Sequence, residues 1–336
     1  MSFWRNIRFR LEAAVLRGFA WLVPRLSRVR CVRLANALGE FAYRLDHRGR
    51  AVALENIRCA LGPGIPPEKR AEMARASYRN FARTMIDLFW APAFAHAENR
   101  HWVRVEQWPR PAETIGPGRP GTMFLTLHFG NWEWANLACG LVGYTFPAVA
   151  EKFKNPALTP IFTQIREITG ARIIPQENSM LRMLKTVKRG GVTAMLADLN
   201  VPPGQASTII RAFGLELCVS VLHAVLAQRG GARIVPVISR PDADGGCTML
   251  VAPPLAIAPG ATLHDIAQQC WDFYEPHLRA QPGLWLWPYK HFRYRPHGTP
   301  EEYPDYANES KAFEKLRRRE LPKRDTVPPA SSTAHE

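Results

Sequence analysis

A histidine and a glutamate five residues apart are the clearest pair of proton-transfer groups in the chain: His128 and Glu133, in the segment 126–133 (TLHFGNWE). An apolar run at 122–127 precedes the histidine and a stretch with helical periodicity follows, which predicts a strand that gives way to a helix. Side chains at the carboxyl end of a strand project into the crevice where α/β proteins usually place their sites. The pair is therefore a candidate for acid–base chemistry.

A turn between the two residues would bring the Glu133 carboxylate back onto the imidazole. On a continuous helix, five residues would set the two side chains about 140° apart, but Gly130 permits a sharp turn and Asn131 is a favoured N-cap. The helix N-terminus favours an ionised Glu133, which would fix the imidazole tautomer and leave the other ring nitrogen as general base for a hydroxyl. Freed N–H groups near Gly130 would stabilise an oxyanion.

The alternative is that His128 is a core histidine and Glu133 is unrelated to it. His101 and Glu106 are an example of such an unrelated pair. This pair has the same spacing, but it lies on a predicted strand, where residues five apart face opposite sides. No third metal-binding side chain stands near His128, so we expect no metal. The GxGxxG match at 116–121 precedes a strand and contains prolines without N–H groups, so we expect no cofactor.

Predicted strands and helices alternate through the middle of the chain. The strands are 122–127, 145–150, 172–174, 192–197, 233–239 and 248–252, and the helices are 131–141, 157–169, 178–188, 216–228 and 262–279. Because the strands are continuously apolar, we expect an α/β fold with a mixed sheet flanked by helices on both faces. We divide the chain into a helical N-terminal region (1–100), an α/β domain (101–300) and a disordered basic tail (309–336).

The charge of the chain indicates an anionic partner. Its formal net charge is +15, and residues 1–50 contain eleven arginines but only three acidic residues. The same region carries an apolar stripe at helical spacing: Trp4, Ile7, Leu11, Ala14, Gly18 and Leu22. Such a helix fits an anionic membrane surface, although its stripe would also fit a protein core. The apolar run stops at Pro24, short of the roughly 20 residues that a transmembrane helix needs.

The string LHFGNWE resembles the HxxxxE/D signature of the bacterial lipid A acyltransferase family, within the wider glycerolipid acyltransferase superfamily. The similarity covers roughly residues 10–295 and includes the stretches 48–57, 153–156 and 285–293. By this resemblance, His128 and Glu133 are the catalytic residues. Seven further residues correspond to substrate-binding positions: Gly130, Asn131, Glu151, Lys154, Asn155, Arg166 and Asp198.

The resemblance implies an O-acyltransferase that moves a fatty acyl group from an acyl-carrier protein or acyl-CoA to a hydroxyl of a lipid A precursor or a related glycolipid. Glu151, where lipid A enzymes often carry arginine, looks more like the mannoside-lipid acyltransferase branch. The acceptor therefore stays open between lipid A, a mannoside lipid and a lysophospholipid. The implied location is the cytoplasmic face of the bacterial inner membrane, with the protein peripheral or anchored by its N-terminus.

Two other function classes fit parts of the sequence. A basic nucleic-acid-binding protein would also carry this charge, but the arginines cluster beside apolar residues at the N-terminus, which favours a membrane, and we expect no nucleic acid partner. A hydrolase would use the same histidine on water and would differ only in its product. The six scattered cysteines without a CxxC pair indicate a reduced, cytosol-facing protein.

Overall fold

The computed structural model describes residues 3–150, 153–204, 206–299 and 302–321. Its N-terminal part is helical, as predicted, and consists of α1 (Phe3–Leu22), α2 (Arg28–Leu45), α3 (His47–Leu61) and α4 (Pro67–Trp90). Proline at the first position of α4 costs no hydrogen bond, and Gly62, at φ +98°, ends α3. No helix in these ranges is long and apolar enough to cross a membrane.

The apolar stripe on α1 faces away from the protein. The opposite face of the helix buries Ala13 and packs Leu16 and Phe19 against the core that contains Phe89 of α4. Packing of the stripe on a protein core, one of the two alternatives above, is therefore wrong for this helix. The exposed members of the stripe are Trp4, Leu11, Ala14, Gly18 and Leu22.

A seven-stranded sheet forms the centre of the molecule, in the order β1-β9-β8-β2-β5-β3-β4. The strands of the fold are β1 (Val103–Glu106), β2 (Thr122–Thr126), β3 (Phe146–Ala150), β4 (Ala171–Pro175), β5 (Val192–Leu196), β6 (Ser207–Ala212), β7 (Leu215–Ser220), β8 (Arg233–Pro241), β9 (Cys247–Val251), β10 (Tyr294–Arg295) and β11 (Asn308–Glu309). Only β8 and β9 pair antiparallel within this sheet, which confirms the predicted mixed sheet.

Helices cover both faces of the sheet. They are α5 (Pro111–Thr114), α6 (Trp132–Leu141), α7 (Thr159–Arg166), α8 (Ser179–Lys188), α9 (Leu222–Gly230), α10 (Leu263–Ala280) and α11 (Lys311–Glu320). Phe124 of β2 belongs to the core beneath α6 and α7, and the next residue, Leu125, belongs to the core beneath α8, α9 and α10. Successive residues of β2 thus point to opposite faces, and both are buried, which is why the strands are continuously apolar.

Residues 216–228 were predicted as one helix, and the structure corrects this. Residues 215–220 form β7, which pairs antiparallel with β6, and α9 begins only at Leu222. Phe213 and Gly214 both have positive φ and join the two strands by a two-residue turn. The apolar residues of β7 and α9 follow one another without a break, so the sequence pattern predicted a single helix.

Residues from 309 onward were predicted as a disordered tail, and the structure corrects this for the described residues up to 321. Residues 311–320 form α11, whose side chains Phe313 and Leu316 are buried in a small core with Ile209 of β6. Ser310 caps the helix, and Glu320 accepts a hydrogen bond from the main-chain N–H of Ile209. Because most residues of 311–320 are charged, the sequence did not indicate that Phe313 and Leu316 are buried. Residues 322–336 lie outside the described part of the chain.

Candidate functional site

The register of two neighbouring strands brings His128 and Asp198 together. β2 pairs in parallel with β5, with Thr126 opposite Leu196, so the residues two positions further along both strands emerge side by side. His128 Nδ1 lies 2.8 Å from Asp198 Oδ1, and the main-chain N–H of His128 donates to Asp198 Oδ2 at 3.0 Å. A carboxylate at Nδ1 fixes the tautomer that leaves Nε2 unprotonated.

This arrangement corrects the predicted contact between Glu133 and the imidazole. Glu133 is the second residue of α6, which directs its carboxylate toward α7, where Arg166 binds it through Nε at 3.0 Å and through Nη2. Asp198, predicted as a substrate-side residue, occupies the position at Nδ1 instead. Glu133 remains near enough for its charge to help raise the pKa of His128, and its catalytic role stays a prediction.

Asp198 is held in its ionised form although it is fully buried. Burial alone would raise the pKa of the carboxyl group, but the charge and hydrogen bond of His128 and the N–H of Trp285 lower it to about 2. Trp285 Nε1 donates to Asp198 Oδ2 at 2.9 Å, and its indole ring stacks on His291 with centroids 3.9 Å apart. Asp198 therefore has one oxygen for the imidazole and one for the fixed donors.

The imidazole of His128 is set up as a base. Burial lowers its pKa, but the charge and hydrogen bond of Asp198 outweigh burial, so that the pKa lies above its usual value. Nε2 of the ring makes no hydrogen bond with the described residues, and the ring borders a cavity. The nitrogen opposite Asp198 is thus available to a substrate hydroxyl.

The loop 128–131 is fixed by its backbone. Gly130 has a φ of +62°, and a Cβ there would lie 1.7 Å from the carbonyl oxygen of Ser239, so no other residue fits. The carbonyl of Gly130 accepts a hydrogen bond from Asn80 Nδ2 at 2.9 Å. Its N–H donates to the carbonyl of Leu284 at 2.9 Å, which corrects the expectation that this N–H is free for an oxyanion.

Two asparagines predicted at substrate-side positions are bonded inside the protein. Asn131 is fully buried, caps α6 by accepting from the N–H of Trp134 at 3.0 Å, and donates to Asp87 at 2.8 Å. Asn155 donates to the carbonyl of Phe9 at 2.9 Å and to Glu12 at 3.0 Å, both on α1. These amides position the loop and α1, and contact with substrate stays only a prediction for them.

The remaining predicted residues are spread around the site. Arg166 lies beside Glu133 in the wall of the cavity. Lys154 is exposed and is not among the residues that line the cavity. Glu151 lies outside the described part of the chain.

An apolar cavity of about 420 Å³ extends from His128 between the sheet and α6. Besides His128, its wall includes the polar groups of Glu133, Asn136 and Arg166. Farther along β2 the wall becomes apolar, and Phe124 lies four residues before His128, or roughly 13 Å along the strand. The apolar lining includes Phe124, Leu125, Trp132, Ala135, Cys139, Ala148, Val149, Phe153, Ile173, Ala194, Met195, Leu196, Leu199 and Val237.

Sequence reasoning missed Asp198 as the partner of His128, and it missed Trp285 as a donor to that carboxylate. Both contacts join residues far apart in the chain, 70 positions for Asp198 and 87 between Asp198 and Trp285. One signal was present for Asp198: like His128, it directly follows a predicted buried strand. No local pattern marks Trp285.

The chain is similar to known bacterial acyltransferases. Residues 9–294 match the family model described as bacterial lipid A biosynthesis acyltransferase, which confirms the resemblance inferred from the sequence. The lipid A biosynthesis lauroyltransferase of Escherichia coli (strain K12) is 23% identical over 299 residues, covering 85% of this chain and 92% of that protein. The phosphatidylinositol mannoside acyltransferase of Mycolicibacterium smegmatis is 25% identical over 264 residues, covering 76% and 85%.

Proposed function

The chain belongs to the bacterial lipid A biosynthesis acyltransferase family, and from its site we propose that it moves a fatty acyl group from a thioester donor to a hydroxyl of a glycolipid, with His128 as general base and Asp198 as its orienting partner. The observation that carries this proposal is the hydrogen-bonded His128 and Asp198 pair at the mouth of an apolar cavity. Acyl transfer requires a general base next to an apolar cavity that can hold the acyl chain.

The reaction needs no protein nucleophile. His128 Nε2 takes the proton of the acceptor hydroxyl while the hydroxyl oxygen attacks the thioester carbonyl. The tetrahedral intermediate then collapses, the C–S bond breaks, and the imidazolium returns its proton to the leaving thiolate. Asp198 stabilises the imidazolium between these steps. A positioned base of this kind typically contributes about 10²–10⁴ in rate.

Glu133 acts through Arg166 in this proposal. The bidentate contact with Glu133 uses Nε and Nη2 of the guanidinium, and Nη1 makes no hydrogen bond with the described residues. Because Arg166 lines the cavity beside His128, we assign Nη1 to the oxyanion of the tetrahedral intermediate. Glu133 is then a positioning residue, and Glu133→Gln would loosen the guanidinium without removing the base.

The cavity holds the acyl chain. Each methylene buried there contributes about 0.8 kcal/mol, or about fourfold in affinity. Apart from Glu133 and Arg166, the described lining contains no acidic residue, lysine or arginine, which suits a hydrocarbon chain. The lauroyltransferase relative is named for such a chain, and we propose a medium or long fatty acid here.

The acceptor and the donor are proposed from the relatives and the fold. One relative is named for lipid A biosynthesis and the other for a phosphatidylinositol mannoside, so we propose a lipid A precursor or a related glycolipid as acceptor. The donor is an acyl-carrier protein or acyl-CoA.

We also propose that α1 rests on an anionic membrane surface at the cytoplasmic face of the inner membrane. Its outward face exposes Leu11 (60%), Val15 (57%) and Trp21 (62%). Arg5, Arg10 and Arg17 are exposed along the same helix. Each such arginine near an anionic surface contributes roughly 1 kcal/mol.

A thiol-release assay tests the proposed reaction. Purified protein, an acyl thioester and a glycolipid acceptor are mixed, and free thiol and acylated lipid are both measured. His128→Ala should lower turnover by at least about 10²-fold, whereas His101→Ala, the matched control with a glutamate at the same spacing, should not. Thiol release without an acceptor would indicate a hydrolase, and a folded, active His128→Ala enzyme would refute the mechanism.

A further inference from the structure

A second depression lies beside the catalytic loop, on the side of α4 and the end of β8. Its volume is about 630 Å³, and we call it the arginine pocket. Three arginines line it, together with the exposed amide side chains of Asn36 and Gln281. The arginines are Arg79, Arg83 and Arg240.

Two glycines bring the walls of the arginine pocket close to α4. A Cβ on Gly39 of α2 would lie 2.5 Å from the Cα of Arg79, and a Cβ on Gly283 would lie 2.6 Å from the Cβ of Ala76. Any larger residue would push these segments away from α4. The close packing holds α2 and the segment around Gly283 against α4, next to the arginine pocket.

The positive charge of the arginine pocket is not neutralised by its one acidic residue. The Asp242 carboxylate accepts from Arg104 at 2.7 Å and from Thr248 at 2.8 Å. Arg83 is part of the wall, since it donates to the carbonyl of Asp242 at 3.2 Å. These contacts leave the guanidiniums of two other arginines for a ligand.

Those two arginines, Arg79 on α4 and Arg240 on β8, are available to a ligand. Arg240 is exposed and makes no ion pair or side-chain hydrogen bond with the described residues. Arg79 has a single ion pair, 3.4 Å from Glu40, and 39% of its side chain is exposed. Asn36 and Gln281 add amide donors that have no partner in the described part of the chain. Several N–H donors without a free carboxylate form a set that fits phosphate.

The arginine pocket is joined directly to the reaction centre. Asn80, in its wall, donates to the carbonyl of Gly130, two residues from His128. The next residue, Phe81, is 40% exposed and lies 6.1 Å from the ring of Trp132, which in turn lies 5.2 Å from the ring of His128. The hydrogen bond of Asn80 therefore links the wall of the arginine pocket to the loop that carries His128.

We propose that the arginine pocket binds a phosphate group of the acceptor lipid while its hydroxyl meets His128. This inference rests on the proposed acyl transfer. The acyl cavity and the arginine pocket share no lining residue, so the two substrates have separate places. In the proposed reaction the acyl cavity holds the acyl chain of the donor, so we assign the arginine pocket, as a separate site, to the acceptor.

Kinetics with a phosphorylated glycolipid acceptor and its phosphatase-treated form test the assignment. Arg240→Ala should raise the KM for the phosphorylated acceptor by at least about tenfold and leave kcat unchanged, because a charge-assisted hydrogen bond is lost. With the dephosphorylated acceptor, and for the donor, its KM should equal that of the wild type. Arg240→Lys should recover part of the affinity. Equal KM changes with both acceptors, or a change for the donor alone, would overturn the proposal.

A matched control separates the arginine pocket from general membrane charge. Arg182 on α8 is also exposed and has no ion pair with the described residues, and Arg182→Ala should leave both KM values unchanged. A loss in Arg182→Ala equal to that in Arg240→Ala would assign the effect to surface charge and overturn the proposal.

Phosphate binding without turnover tests the arginine pocket separately from the reaction. Inorganic phosphate should raise the Tm of the wild type and compete with the phosphorylated acceptor, and Arg79→Ala combined with Arg240→Ala should abolish both effects. Stabilisation by phosphate in a wild-type protein that transfers no acyl group would refute the proposed function but support the arginine pocket. Equal stabilisation of the wild type and the double variant would refute the arginine pocket.

Discussion

Replacing Asp198 by asparagine separates the observed partner of His128 from the predicted one. Asparagine keeps the shape of the side chain, but an uncharged amide group then replaces the carboxylate as the partner of His128 Nδ1. The imidazolium that forms during transfer then loses its counter-ion. Because Trp285 and the main chain of His128 donate to the same carboxyl group, the favoured asparagine orientation turns its NH₂ toward Nδ1 and stabilises the wrong tautomer.

The size of the effect follows from the pKa of Asp198. Its fall from 3.8 to about 2 corresponds to about 2 kcal/mol of stabilisation of the carboxylate. If the imidazolium in the transition state loses the same amount, turnover falls about 30-fold. The wrong tautomer adds to this loss, and the equivalent change in serine-protease triads reaches about 10⁴. We therefore expect Asp198→Asn to lower kcat by about 30-fold to 10⁴-fold.

The pH profile provides a second readout with a defined sign. His128 acts as base only when neutral, so activity falls as the pH drops through its pKa, which lies above 6.5 in the wild type. Asp198→Asn removes the charge and hydrogen bond that raise this pKa, while burial, which lowers it, remains. The acid limb of kcat/KM should therefore move to lower pH while the plateau falls. Stopped thiol-release assays from pH 5 to 9 measure both.

Glu133→Gln is the matched comparison for Asp198→Asn. It should shift the acid limb in the same direction but by less, since Glu133 acts on His128 through charge alone and Asp198 acts through charge and a hydrogen bond. The reasoning fails if Asp198→Asn keeps the wild-type plateau and acid limb while Glu133→Gln loses both. That result would restore Glu133 as the orienting partner.

Three further predictions test the surroundings of the pair. Trp285→Phe keeps an aromatic ring against His291 but removes the donor to Asp198, and kcat should fall by about tenfold with a displaced acid limb; an unchanged pH profile would make Trp285 merely structural. Cys139→Phe narrows the acyl cavity, so the preferred thioester should become shorter, with about fourfold lost per displaced methylene in a chain-length series; an unchanged preference would place the acyl chain elsewhere. Leu11→Glu with Val15→Glu should release the protein from anionic vesicles in sedimentation assays, whereas Leu181→Glu on α8, at a similar exposure of 57%, should not.

The sheet and most of its elements followed from the sequence because their signals are local. Buried parallel strands are continuously apolar, and each of the six strands predicted between 122 and 252 corresponds to a strand of the main sheet. The hairpin of β6 and β7 was missed because its turn consists of Phe213 and Gly214, and phenylalanine is not a residue that signals positive φ.

The site was only half predictable for a related reason. The spacing from His128 to Glu133 is visible in the sequence, but the direction of each carboxylate depends on strand order and helix packing. Once β5 lies beside β2, Asp198 must emerge next to His128. Once α7 packs near the start of α6, Arg166 meets Glu133. Neither neighbour can be read from a five-residue motif.

The N-terminal helices belong to the catalytic scaffold as well as to the proposed membrane surface. Arg28 of α2 and Asp87 of α4 form a fully buried ion pair at 2.6 Å. The second carboxylate oxygen of Asp87 accepts a hydrogen bond from the side-chain amide of Asn131 in the catalytic loop. Desolvation of two charges is offset only when both partners and their further hydrogen bonds are in place. Arg28 also donates from Nε and Nη2 to the carbonyl of Gly245, beyond β8. The loop that holds His128 therefore depends on helices from before residue 100 and on a turn after the central strands. A boundary at residue 100, as predicted from the sequence, would cut through this network, so we expect the helical region and the sheet to fold as one cooperative unit.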